Sequence, residues 1–172
     1  ADPRMLEAAR HRFEAAGVEM RLARADAQVL PFKNASFDVA TAVTVLCFVH
    51  EPDRAISELA RVLKPGGLLA IGELGRYSLW AFWRRLRGWL GHPTWRSAHF
   101  LSASELRDLA TGAGLAVQTT KAAVFYPPFG WAADLLAPVD RWLGRHIVCG
   151  GAFLVVVAKK PIKKYLCQYI IL

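Results

Sequence analysis

Residues 37–74 constrain the fold most. Phe37 to Val45 is rich in Val, Thr and Ala, the composition of a strand buried in a parallel sheet. Pro52 then opens a segment in which Ile56, Leu59, Val62 and Leu63 fall on one helical stripe. Lys64-Pro65-Gly66-Gly67 is expected to end that helix, since proline cannot continue it and glycine takes positive φ. Leu68 to Leu74 is apolar again and reads as the next strand. Strand, helix, strand with short joins is the unit of a parallel sheet.

The flanks extend the alternation. Met5, Leu6, Ala9 and Phe13 predict a helix from Pro3 to Ala16, capped by Asp2 and stopped by Gly17. Val18, Met20 and Leu22 alternate with Glu19 and Arg21, which predicts a strand. Asp26 to Ser36, with Pro31 and Asn34, reads as a loop. Ser102-Ala103-Ser104-Glu105 is a capping box opening a helix that ends at Gly112 or Gly114. Leu115 to Tyr126 and Ala152 to Ala158 read as two further strands. The expected class is α/β with a mostly parallel sheet.

With 172 residues, 54% hydrophobic and 21% charged, the chain fits one globular domain and not a disordered one. The longest apolar run, Val39 to Val49, is broken by two threonines and is too short to span a bilayer. Cys47, Cys149 and Cys167 are odd in number and form no CxxC pair. Neither a disulfide framework nor a metal site is therefore expected, and a cytoplasmic setting is. The net charge of +8 suits a solvated basic surface, nucleic acid or an anionic membrane.

Two motifs narrow the function. The first is Asp26-Ala27-Gln28-Val29-Leu30-Pro31-Phe32, followed by Ser36-Phe37-Asp38. The second is Leu63-Lys64-Pro65-Gly66-Gly67. Together they resemble the class I S-adenosylmethionine-dependent methyltransferases, of methyltransferase type 11 and the ubiquinone/menaquinone C-methyltransferase branch. The resemblance is best over residues 1–75. It implies a Rossmann-like sheet, mostly parallel with an antiparallel last strand. The family's first strand and Gly-rich loop have no counterpart here, so the chain reads as amino-truncated. Residues 1–161 are then a partial methyltransferase domain, with 76–100 a helical lid or insertion. Residues 162–172 read as a non-native or disordered tail, from a shift towards Lys, Ile and Tyr. The chain departs from the family at Ala25, where glycine is usual. It departs again in Leu46-Cys47-Phe48-Val49-His50-Glu51-Pro52, where the family often carries paired histidines and Asp-Pro.

The resemblance implies S-adenosylmethionine as cofactor. Asp26 would accept from the adenine N6, and the Ala27 N–H would donate to N1. Val45, Leu46, Leu30 and Phe32 would supply apolar walls. The implied reaction is in-line displacement at the sulfonium methyl, driven by positioning and exclusion of water. A general base is needed only where the nucleophile carries a proton. Glu73, Tyr77, His50 and His99 are the candidates, each with an ordinary structural role as its competitor. The chain by itself is expected to bind the donor weakly or not at all. The implied partner is a small acceptor and not nucleic acid, because no Asn/Asp-Pro-Pro-Tyr/Phe signature is present. A short-chain dehydrogenase is disfavoured, because no tyrosine is followed by lysine four residues later.

One stretch stands apart. In Tyr77 to Leu90, Leu79, Phe82, Trp83, Leu86 and Leu90 recur at helical spacing, with Arg84 and Arg87 towards the other side. Such a helix can pack on the sheet, cover an apolar or aromatic acceptor as a lid, or make weak membrane contact through 79–90. Tyr126-Pro127-Pro128-Phe129-Gly130-Trp131 would be its aromatic neighbour. The alternative to an enzyme is a non-catalytic peripheral membrane or partner-binding module on a methyltransferase scaffold.

Overall fold

The computed structural model describes residues 3–127 and 130–162. Its elements in chain order are α1 (Pro3–Ala15), β1 (Phe37–Val43), a 3-10 turn (Leu46–Phe48), α2 (Pro52–Val62) and β2 (Leu63–Leu74). There follow α3 (Leu79–Trp89), α4 (Pro93–Arg96), α5 (Ala103–Gly112), β3 (Ala116–Ala123), α6 (Gly130–His146) and β4 (Phe153–Lys159). Four strands form one sheet in the order β1-β2-β4-β3. β1 and β2 are parallel, and β4 inserts antiparallel between β2 and β3. Three strands therefore share one direction and the last is reversed.

α2 makes the crossover from β1 to β2, burying Ala55, Ile56, Ala60 and Val62. The main core lies where α2 and α5 cover the sheet: Ile56, Leu106 and Ala110 meet Leu69, Ile71, Leu154 and Val156. A smaller cluster of Leu74, Ala81 and Phe100 joins α3 to the opposite side of β2. The capping box of α5 forms as expected: the Ser102 Oγ accepts from the Glu105 N–H, and the Ser102 N–H donates to the Glu105 carboxylate. Lys160, at the end of β4, donates through Nζ to the carbonyls of Ala60 (2.6 Å) and Leu63 (2.7 Å), tying that strand to the end of α2.

Two expectations change. Val18 to Leu22 forms no strand. A strand is held by a neighbour's ladder, and among the described residues none flanks this segment. Lys64-Pro65-Gly66-Gly67 does not close the helix either: α2 ends at Val62, and β2 already begins at Leu63. The register jumps from Phe37↔Leu63 to Val39↔Leu68, so the turn residues bulge out of the ladder. The bulge holds Gly66 at φ +84° and spares Pro65 a ladder bond it cannot donate. The Lys64 ammonium closes it on Asp38 at 2.8 Å. The expected Asp2 cap and, beyond Ile162, the tail lie outside the described residues.

Candidate functional site at the carboxyl edge of the sheet

In an open α/β sheet, ligands gather at the carboxyl ends of the parallel strands. Here that edge is built from the exits of β1 and β2 and from the turn at residues 26–29. Leaving β1, Thr44 adopts φ +50°. That is an unusual conformation for a β-branched residue, of a kind that clusters at functional sites. The Thr44 N–H still donates to the Gly72 carbonyl at 2.7 Å. The chain then turns into the Leu46–Phe48 segment.

Glu73 holds this turn. It follows Leu69 and Ile71 on the same face of β2, and its side chain is 0% exposed. Its Oε1 accepts from the N–H groups of Val45 (2.9 Å) and Leu46 (2.7 Å). Burial raises the pKa of its carboxyl group, and these N–H donors oppose the shift. Oε2 is buried with no hydrogen-bond partner. The Cys47 thiol lies beside the carboxyl, and its pKa is pushed up to about 12, by burial first and by Glu73 next. Cys47 is therefore an un-ionised packing residue. Glu73 is neither a surface turn residue nor open to a ligand: it positions the turn.

Asp26 sits on the rim. It is exposed, and its Oδ1 accepts from the Gln28 N–H at 2.9 Å, which lowers its pKa. Gln28 then accepts from the Glu51 N–H at 3.1 Å. Ala27 packs against the core cluster that contains Leu46. The structure thus brings the Asp26–Ala27 turn beside the β1 exit. Among the described residues, neither Asp26 Oδ2 nor the Ala27 N–H has a hydrogen-bond partner. An acceptor and an adjacent donor left free in this order match the N6 and N1 edge of an adenine. By that measure the residues present fit the adenosyl part of the donor.

The other expected contacts divide. Val45 is exposed at this edge, while Leu46 turns into the core and offers a ligand no side chain. Phe32 packs edge-on against Phe37, with centroids 5.1 Å apart. The Leu30–Asn34 loop is held from below by α2. The Leu30 N–H donates to Glu58 at 2.8 Å, and Arg61 donates to the carbonyls of Leu30 and Phe32 and to Asn34 Oδ1. The Leu-Pro-Phe motif is thus a clamped loop that presents Asp26, and the clamp residues Glu58 and Arg61 went unnoticed in the sequence. Their i, i+3 spacing on α2 was the available signal.

Further along the edge, a cavity of about 240 Å³ is lined by Gly75, Arg76, Tyr77, Ser102, Cys149 and Gly151, among others. It is smaller than the roughly 300 Å³ of ordinary ligand pockets, so it has room for a small group only. Tyr77 lines it and is otherwise exposed. His50 and His99 are exposed. The His99 N–H donates to the Cys47 carbonyl at 2.8 Å, which fastens the 97–100 segment to the β1 exit. Among the described residues no cluster of His, Cys, Asp or Glu could hold a metal.

Residues 1–71 match the family model of a methyltransferase domain. A crystal structure of an S-adenosylmethionine-dependent methyltransferase from Thermotoga maritima superposes with a TM-score of 0.66 at 30% identity, covering 92% of this chain and 70% of that one. The chain belongs to the S-adenosylmethionine-dependent methyltransferases, and the family's methyl donor is S-adenosylmethionine. An uncharacterized protein of Mycobacterium tuberculosis is 35% identical over 137 residues, which is 80% of this chain and 46% of that protein. The demethylmenaquinone methyltransferase of Thermus thermophilus is 42% identical over 71 residues, 41% of this chain and 32% of that enzyme. The chain spans about half the length, or less, of these curated relatives.

Proposed function

We propose that the protein takes part in methyl transfer from S-adenosylmethionine to a small apolar or aromatic acceptor. The free Asp26 carboxylate oxygen beside the free Ala27 N–H carries this reading. These two groups would read the adenine edge, with Val45 against the ring. Glu73 would fix the turn that carries Val45 through its two N–H bonds. The donor supplies a methyl group on a positively charged sulfur, which leaves as a neutral thioether. The chain's own task is then to hold donor and acceptor in line and keep water out. Tyr77, at the small cavity, is the best placed of the candidate bases should the acceptor need to lose a proton. His50 and His99 lie on the open surface, and Glu73 is sealed. An apolar acceptor is supported by the similarity to a demethylmenaquinone methyltransferase.

Ligand-detected NMR with S-adenosylhomocysteine tests the reading, because it registers even weak binding. Asp26→Ala should weaken binding about tenfold or more, the worth of a charged hydrogen bond. Asp38→Ala, a surface control, should change nothing. Binding indifferent to Asp26 would overturn the assignment.

A further inference from the structure

Helix α3 is mounted with its apolar stripe facing outward. Its inner side is fixed by specific contacts. Ala81 and Gly88 are buried, and a side chain on Gly88 would come within 2.8 Å of the Trp95 carbonyl oxygen. The Trp80 indole N–H donates to the Tyr126 carbonyl at 2.9 Å. The Arg84 guanidinium lies 5.3 Å from the ring centroids of both Trp80 and Trp95. The Ser78 Oγ caps the helix by accepting from the Ala81 N–H. Arg84 thus belongs to the inner face, and Leu79, Phe82, Trp83, Trp89 and Leu90 are left exposed, Trp89 at 86%. This reverses the arrangement of a helix that packs its apolar stripe onto the sheet.

Charge follows the same geometry. At ~100° per residue, Arg85 and Arg87 fall on opposite margins of the apolar stripe; both are exposed. From residue 74 to residue 104 there are five arginines and no acidic residue. We propose that this face of α3 is an interfacial surface that rests on an anionic lipid bilayer. The aromatic and aliphatic side chains would enter the headgroup boundary, and Arg85 and Arg87 would reach the lipid phosphates on either side. A second copy of the chain fits less well, because a symmetric contact would set two arginine-rich faces against each other. No described helix is long and apolar enough to cross a membrane, so the contact lies at the surface. This inference rests on α3 alone and does not depend on the assignment of the donor site.

Vesicle co-sedimentation of the whole chain tests it. The protein should pellet with phosphatidylcholine vesicles containing phosphatidylserine and much less with phosphatidylcholine alone. Arg85→Gln with Arg87→Gln should lower partitioning about thirtyfold, and raised salt should act in the same direction. Trp83→Glu with Trp89→Glu should abolish it, with the circular dichroism spectrum unchanged as evidence of folding. Failure to bind the anionic vesicles, or binding indifferent to the tryptophan pair, overturns the proposal. So does a dimer in analytical ultracentrifugation that the same pair dissociates.

Discussion

Glu73 shows how one side chain can define an edge. A carboxyl group with no exposure is tolerated because two backbone N–H groups converge on one of its oxygens. Removing it would strand those donors in the interior. Glu73→Ala should therefore cost about 2–4 kcal/mol in urea unfolding. Glu73→Gln keeps an acceptor and removes the ionisable group. Because the folded pKa is raised, Glu73's favourable contribution is complete below the unfolded value of 4.5 and is lost as pH rises through the folded value. Glu73→Gln should thus match or exceed the parent's stability once pH has passed the raised folded value, and it should flatten the decline that begins above 4.5. Equal losses for the two variants would show that the hydrogen bonds do not matter.

At the scale of elements, α2 does more than cross from β1 to β2. Its Glu58–Arg61 pair, 2.7 Å apart, grips the loop that carries Asp26. The Arg61 and Leu30 donors bring Glu58 down to about 2. That gain is present above the unfolded value of 4.5 and disappears as pH falls through about 2. The side chain is 21% exposed, so solvent screening limits the effect to about 1–2 kcal/mol. Glu58→Gln should be less stable than the parent by that amount at neutral pH. The two unfolding curves should converge in acid; a constant gap down to pH 2 would rule out the ionised clamp.

The whole molecule has an uneven exterior. α2 and α5 cover one face of the sheet, whereas α1 makes little contact with the rest of the described chain. Among the described residues β1 stands at the edge of the sheet, with Val39 and Val43 each 57% exposed. A long apolar edge strand is a template for pairing with another chain. Concentration-dependent association in light scattering is therefore expected, against the dispersing effect of the +8 net charge. Val39→Lys should suppress it without loss of folded signal, whereas Arg85→Gln on α3 should not. Association unaffected by Val39→Lys would place the sticky surface elsewhere.

Much of the local chemistry was legible in the sequence, though not the end of α2 or the state of Val18–Leu22. The stripe of α2, the capping box at Ser102 and the shared direction of β1 and β2 follow from periodicity, caps and crossover rules, which act over a few residues, whereas the reversed last strand was implied by the family resemblance. The proposed roles of Asp26 and Ala27 came from the family resemblance of their loop motif. The sequence could not show which face of α3 is buried, since the apolar stripe of an amphipathic helix can meet a core or a lipid surface alike. That was decided by Gly88 against Trp95 and Arg84 between two indoles, contacts made only after the chain has folded back. Val18–Leu22 has strand character and lacks a ladder, because a strand depends on its neighbour. Glu73 reads as an ordinary acid until β2 is threaded between β1 and β4. Burial, and with it the role of a charge, belongs to the assembled sheet and not to the string of residues.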